Sequence, residues 1–156
     1  MAHPALIAPA DFDPRREEPF RAHLKRVLRD TGFDSWHTYD ARRSDDGWPD
    51  QVALRLASYQ WGDYRLIFFE LKVGARRCTP RQWETLWKLA QGQPEVYVWG
   101  PENLQHIYDI LCARVAVGVS SPTHRLNLPD DHKRAPTPRA QVAYAVGRIG
   151  GRVRAR

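Results

Sequence analysis

YRLIFFELKV, residues 64–73, is the most apolar run of a 156-residue chain, yet it carries two charges inside it. Leu66, Ile67, Phe68, Phe69 and Leu71 follow almost without interruption, the pattern of a central strand buried on both faces. Glu70 and Lys72 are two positions apart, so in a strand their side chains point the same way. An unpaired ion at such a position costs several kcal/mol, on the order of the effective penalty for desolvating a charge. Something must compensate both.

Working back along the chain, QVALRLAS (51–58) reads as a second strand and YQWGD (59–63) as a turn containing Gly62. A hairpin centred near Trp61–Gly62 makes facing residues add to about 123 and brings Asp50, at the end of GWPD (47–50), opposite the Glu70–Lys72 end. Adjacent strands lie about 4.8 Å apart. Two carboxylates that close repel, and the pKa of one rises unless a cation sits between them. Hard oxygen ligands, few in number and leaving room for water, suit magnesium or manganese. Lys72 beside them supplies a positive donor that can orient an attacking water or stabilise the added charge of a phosphoryl transition state.

Farther out, Phe20, Leu24, Val27 and Leu28 form one apolar stripe, so a helix starts between Pro14 and Pro19 and closes at Gly32. SWHTYD (35–40) is a short β-prone run. After the central strand, Thr79 and Pro80 open a helix with Trp83, Leu86, Trp87 and Ala90 on its apolar face, closed by Gly92. EVYVW (95–99) is a short buried strand, and Gly100-Pro101 open a third helix with Leu104, Ile107, Tyr108 and Leu111 inward. The order α-β-β-β-α-β-α predicts an α/β fold, a mixed central sheet flanked by helices with an antiparallel hairpin built in.

Three segments are expected: an N-terminal arm over 1–14, a folded domain over 15–117, and a basic, Pro/Gly-rich tail over 118–156 in which AQVAYAV (140–146) is a candidate short helix. The net charge of +6 lies wholly in the tail: residues 1–117 hold 16 basic and 16 acidic side chains, the tail 8 basic and 2 acidic. A basic arm on a neutral body is one common design for a nucleic-acid partner; a solubilising tail is the other reading. No apolar run approaches the roughly 20 residues that span a bilayer, and the N-terminus lacks a secretory pattern. Two cysteines, neither in a CxxC, read as reduced thiols of a cytoplasmic protein.

GWPD, then FFELK, then TPRQ resembles the PD-(D/E)xK nuclease superfamily, and more narrowly the VRR-NUC family of stand-alone phage and bacterial proteins. The resemblance spans about residues 15–113. It implies a restriction-endonuclease-like fold, magnesium or manganese dependence, and hydrolysis of DNA phosphodiesters. Stand-alone members resemble Holliday-junction resolvases acting as homodimers on branched DNA in repair or recombination. Carried onto this chain, Asp50 and Glu70 would be metal ligands and the Leu71 carbonyl would complete the set. Lys72 would be the catalytic lysine and Gln82 the helix glutamine near the site. An acidic residue of the first helix would assist. Glu17 and Glu18 both qualify, and Glu17 shares the inward stripe.

Each softer assignment has a plainer reading. Gln82 also completes a Thr79-x-x-Gln capping box. Arg42, Arg43, Arg76, Arg77 and Arg81 flank the site and would grip phosphates, or serve as solvated loop charges. His37 reads as structural, most tryptophans as core and helix-face residues, and Trp61 as a stacking or subunit-contact residue. The competing functions are a non-catalytic nucleic-acid-binding module of the same fold and an RNA-directed nuclease.

Overall fold

A computed structural model describes residues 12–38, 46–56, 64–92, 94–113 and 134–137. Most of the expected arm, Arg42, Arg43, Trp61, the candidate helix 140–146 and nearly all of the tail lie outside the described residues. The elements are α1 (Glu17–Asp30), β1 (Asp34–His37), β2 (Gln51–Leu56), β3 (Tyr64–Leu71), α2 (Pro80–Ala90), β4 (Glu95–Trp99), a 3-10 turn (Pro101–Asn103) and α3 (Leu104–Cys112). They form a mixed α/β unit whose four-stranded sheet runs β1-β2-β3-β4. β1, β2 and β3 pair antiparallel, and β4 joins β3 in parallel through the α2 crossover.

Local chemistry sets the helix ends. Pro19 sits in the first turn of α1, where a missing N–H costs no intrahelical bond. Glu17 and Glu18 lie in the same turn and complement the helix dipole. Gly32, at φ 82°, takes the left-handed position after the helix, and the Phe33 N–H donates to the Leu28 carbonyl at 2.8 Å. At α2, the Thr79 hydroxyl accepts from the Gln82 N–H at 3.1 Å while Gln82 Oε1 accepts from the Thr79 N–H at 2.9 Å. This is the predicted capping box, worth about 1 kcal/mol.

The core joins Phe20, Leu24, Val27 and Leu28 of α1 with Ala53, Ile67, Phe69 and Leu71 of the sheet and Ile107, Tyr108 and Leu111 of α3. Each of the Leu, Ile, Val and Phe side chains among them contributes about 1.5–3 kcal/mol when fully buried. His23 is buried where α1 meets α3, its Nε2 2.6 Å from the Tyr108 hydroxyl.

Three expectations need correction. First, facing residues of the hairpin add to 120 rather than 123: Gln51 opposes Phe69 and Leu56 opposes Tyr64. The register follows the inward set Ala53, Ile67 and Phe69, not the position of Gly62. Second, β3 is buried on both faces only at its C-terminal end; Leu66 and Phe68 are half-buried and Tyr64 is exposed. Third, of the described tryptophans only Trp99 is fully buried. Trp36, Trp48 and Trp87 are exposed, and Trp83 is half-buried. Trp36, Val52 and Phe68 share one register row on the half-exposed sheet face, which explains the exposed ring of Trp36.

Candidate active site

The site forms where β2 begins and β3 ends. Gly47, at φ 93°, lets the GWPD turn lie against the first turn of α2: a Cβ there would come within 2.8 Å of the Arg81 carbonyl carbon and oxygen. Trp48 packs edge-on against Phe68, with ring centroids 5.7 Å apart. The Thr38 hydroxyl donates to the Pro49 carbonyl at 3.1 Å, and its N–H to the Asp50 carbonyl at 3.0 Å. The turn is thus fixed from both sides, and Asp50 enters β2 in a defined place.

Asp50 and Glu70 are tied to each other's strands. The Asp50 N–H donates to Glu70 Oε2 at 3.1 Å, and the Leu71 N–H donates to Asp50 Oδ2 at 3.1 Å. Glu70 Oε1 accepts from Lys72 Nζ at 2.5 Å and from Gln82 Nε2 at 2.5 Å. Lys72 lies just past the end of β3, but its N–H still donates to the Trp99 carbonyl at 2.9 Å, so the parallel ladder fixes its backbone. The two readings of Gln82 are therefore compatible: its Oε1 caps α2 while its Nε2 reaches Glu70.

The electrostatics of this cluster are unbalanced. Glu70 is 0% exposed and holds the Lys72 ammonium, while the Asp50 carboxylate lies close enough to repel that of Glu70. Burial, and then repulsion from Asp50, push its pKa up to about 7, against the opposing pull of Lys72. Near neutrality the cluster is short of one positive charge. A proton on Glu70 supplies it, and a divalent cation is the alternative. The donor chemistry fits a hard cation: carboxylate oxygens of Asp50 and Glu70 flank the Leu71 main chain, whose carbonyl is the third candidate ligand. Among the described residues no group of three or more His, Cys, Asp or Glu side chains converges.

The remaining predicted residues are placed as follows. Glu17 begins α1 and pairs with Arg21, while its Oε2 accepts from Arg76 Nη1 at 3.0 Å. Arg15, Arg16, Glu17, Glu18, Val73 and Arg76 line a cleft of about 350 Å³ beside the end of β3. Glu17 thus lies in a neighbouring charged cleft rather than among the direct contacts of Glu70. Arg81 Nε lies 3.3 Å from Asp46 Oδ2, and Arg77 Nη1 donates to the Ala135 carbonyl at 3.0 Å. His37 is exposed at the end of β1, opposite Gln51. Cys78 is buried, and burial pushes its thiol up to about 12; Cys112 is an exposed free thiol.

Sequence reasoning passed over Arg134. It is buried against Glu102 and the main chain of residues 76–78, but in the sequence it is one more basic residue of a basic segment. Nothing in composition or spacing distinguishes it.

Compared with known proteins, the chain matches no family model, no curated protein and no solved structure. The functional reading therefore rests on the residues and their geometry. No helix among the described residues is long and apolar enough to cross a membrane.

Proposed function

We propose that this chain is a magnesium- or manganese-dependent DNA endonuclease of the VRR-NUC type, with a restriction-endonuclease-like fold. The observation that carries the reading is the convergence of Asp50, Glu70, Lys72 and Gln82 at one end of the β2–β3 hairpin, two mutually repelling carboxylates with one ammonium on Glu70. A structural ion pair has no need of the second carboxylate.

In this proposal Asp50, Glu70 and the Leu71 carbonyl hold the cation, which when bound polarises a phosphodiester oxygen and lowers the pKa of a bound water. Gln82 keeps Glu70 in one rotamer through its Nε2 contact. Lys72 sits beside Glu70 and carries a positive charge to the phosphate, where it offsets the charge that builds as the P–O bond to the leaving oxygen breaks. Arg77 and Arg81 flank the same end of the fold and would bind neighbouring phosphates; Arg76 and the Glu17 carboxylate lie in the adjoining cleft. The preferred substrate is branched DNA and the acting form a homodimer, since two coordinated cuts at a two-fold junction need two sites. The half-exposed apolar sheet face around Trp36 and Phe68 offers a surface for such pairing. The setting is the cytoplasm of a bacterial cell or phage-infected host.

The test is incubation of the purified full chain with branched and linear DNA, with and without magnesium, and with matching RNA forks. Metal-dependent cutting of branched DNA, lost in Asp50→Ala and Glu70→Ala, is expected. Retained cutting in both variants would refute the site. One feature favours a second reading: both carboxylate oxygens of Glu70 accept hydrogen bonds from the protein itself. A proton-balanced, non-catalytic DNA-binding module would give salt-sensitive binding with no cutting at any metal concentration.

A further inference from the structure

Residues 134–137 belong to the basic C-terminal segment, yet Arg134 and Ala135 contact the loop that lies between two residues of the candidate site, Lys72 and Gln82. Arg134 is 5% exposed. Its guanidinium pairs with Glu102 and reaches the Arg76 carbonyl at 3.4 Å. Its own carbonyl accepts from the Cys78 N–H at 2.9 Å, and the Ala135 carbonyl accepts from Arg77 at 3.0 Å. Gly100 makes the space, since a Cβ there would collide with Arg134 Nη2.

The loop so held, residues 73–79, joins Lys72 to the Thr79 cap of α2, and the groups at its two ends, Lys72 Nζ and Gln82 Nε2, meet on the same oxygen of Glu70. Residues 74–77 are exposed, and Gly74 at φ 63° has no heavy atom within 4 Å of its would-be Cβ. The described main-chain bond inside this stretch is a long one, Arg76 N–H to the Val73 carbonyl at 3.4 Å. Between the buried Val73 and Cys78, the exposed stretch 74–77 has little packing of its own and opens easily unless something outside it holds it.

We propose that Arg134 is a positioning residue: docked on Glu102 and on the main chain of residues 76–78, it holds the 73–79 loop so that Lys72 and Gln82 meet Glu70 in one geometry. The catalytic consequence rests on the nuclease reading; the docking does not.

The experiment uses the full chain with Cys112→Ser, which leaves the buried Cys78 as the sole thiol. Two quantities are read: the labelling rate of Cys78 by an aromatic disulfide reagent, and the metal-dependent cleavage rate at saturating branched DNA. Arg134→Ala is expected to speed labelling by about tenfold or more. It is expected to slow saturated cleavage by about tenfold with little change in DNA affinity, because a small misplacement of reacting groups acts on turnover. Glu102→Gln, at a partly exposed position, gives the same changes in smaller measure and serves where Arg134→Ala does not fold. Unchanged labelling in a folded variant overturns the proposal. So does faster labelling with an unchanged saturated rate, and so does a loss confined to DNA affinity, which would make Arg134 a phosphate-binding residue. Should the parent protein cleave no DNA, the nuclease reading fails by itself: unchanged labelling then overturns the docking as well, and faster labelling supports the docking alone.

Discussion

Two charged clusters on β3 are built from similar parts and differ in balance. At one end, Arg65 meets Glu95 of β4 through two bonds of 2.7 Å, and its Nη1 donates to the Ile110 and Ala113 carbonyls at 2.8 and 3.1 Å. The Tyr97 hydroxyl donates to the same Glu95 at 2.8 Å. There Arg65 pairs with one carboxylate, and Arg55, its cross-strand neighbour, donates to the same Ala113 carbonyl at 2.8 Å, so positive charge is not lacking. At the other end, Glu70 pairs with Lys72 while Asp50 repels the Glu70 carboxylate, and Glu70 is left with a raised pKa. The first cluster is complete and joins strand to helix. The second is short of one positive charge, the condition that a cation-binding site meets before its cation arrives.

The largest expected effect separates the clusters by activity. Asp50→Asn or Glu70→Gln should lower metal-dependent DNA cleavage about 10³-fold or more, with the circular dichroism of the folded protein retained. Arg65→Met should do the reverse. Removing one partner of a buried pair costs about 3–5 kcal/mol in urea unfolding, while saturated cleavage by the protein that remains folded changes little.

A pH series sharpens the contrast further. Glu70 is raised from an ordinary 4.5 to about 7, so the folded state keeps a proton that the unfolded chain releases. Its stabilising effect is full below about pH 4.5 and is lost as pH rises through about 7. In chelator, the unfolding free energy should therefore fall on the order of 2 kcal/mol between about pH 5 and pH 8, and Glu70→Gln should remove that component. In the proposed site manganese would replace the proton, so at tenfold over its dissociation constant it should add about 1.4 kcal/mol, and it should bind more tightly at about pH 8 than at about pH 5.5. Calorimetry at the two pH values checks the order.

The smallest expected effect lies outside both clusters. Ending the chain after Thr137 keeps Arg134 and removes Arg139, Arg148, Arg152, Arg154 and Arg156. Thermal stability should hold, and the salt dependence of DNA binding should become shallower by about 0.9 for each phosphate that the shortened chain leaves unneutralised. An unchanged slope would make the segment a bystander.

The element order was legible because apolar periodicity and end signals agree along the chain: the α1 stripe, the Thr79–Gln82 cap and the run at Ile67–Leu71 each match one element. The meeting of Asp50 with Glu70 was legible too, because an error of three in the hairpin sum still left Asp50 at the correct end. What the sequence hid depends on packing. Burial of Trp36, Trp48 and Trp87 could not be judged because hydrophobic character does not say which sheet face stays open. Glu17 shares the α1 stripe, but its partner Arg76 is 59 positions away. Arg134 depends on a space above Gly100 that only the folded chain creates.

The most direct test is the position of a manganese ion in crystals of the full chain soaked near pH 7.5. An anomalous peak within ligand distance of the Asp50 and Glu70 carboxylates is expected, with Lys72 displaced from Glu70 or sharing it. Both carboxylates still held by the Leu71 and Asp50 N–H groups, with no metal density between them at saturating manganese, would contradict it.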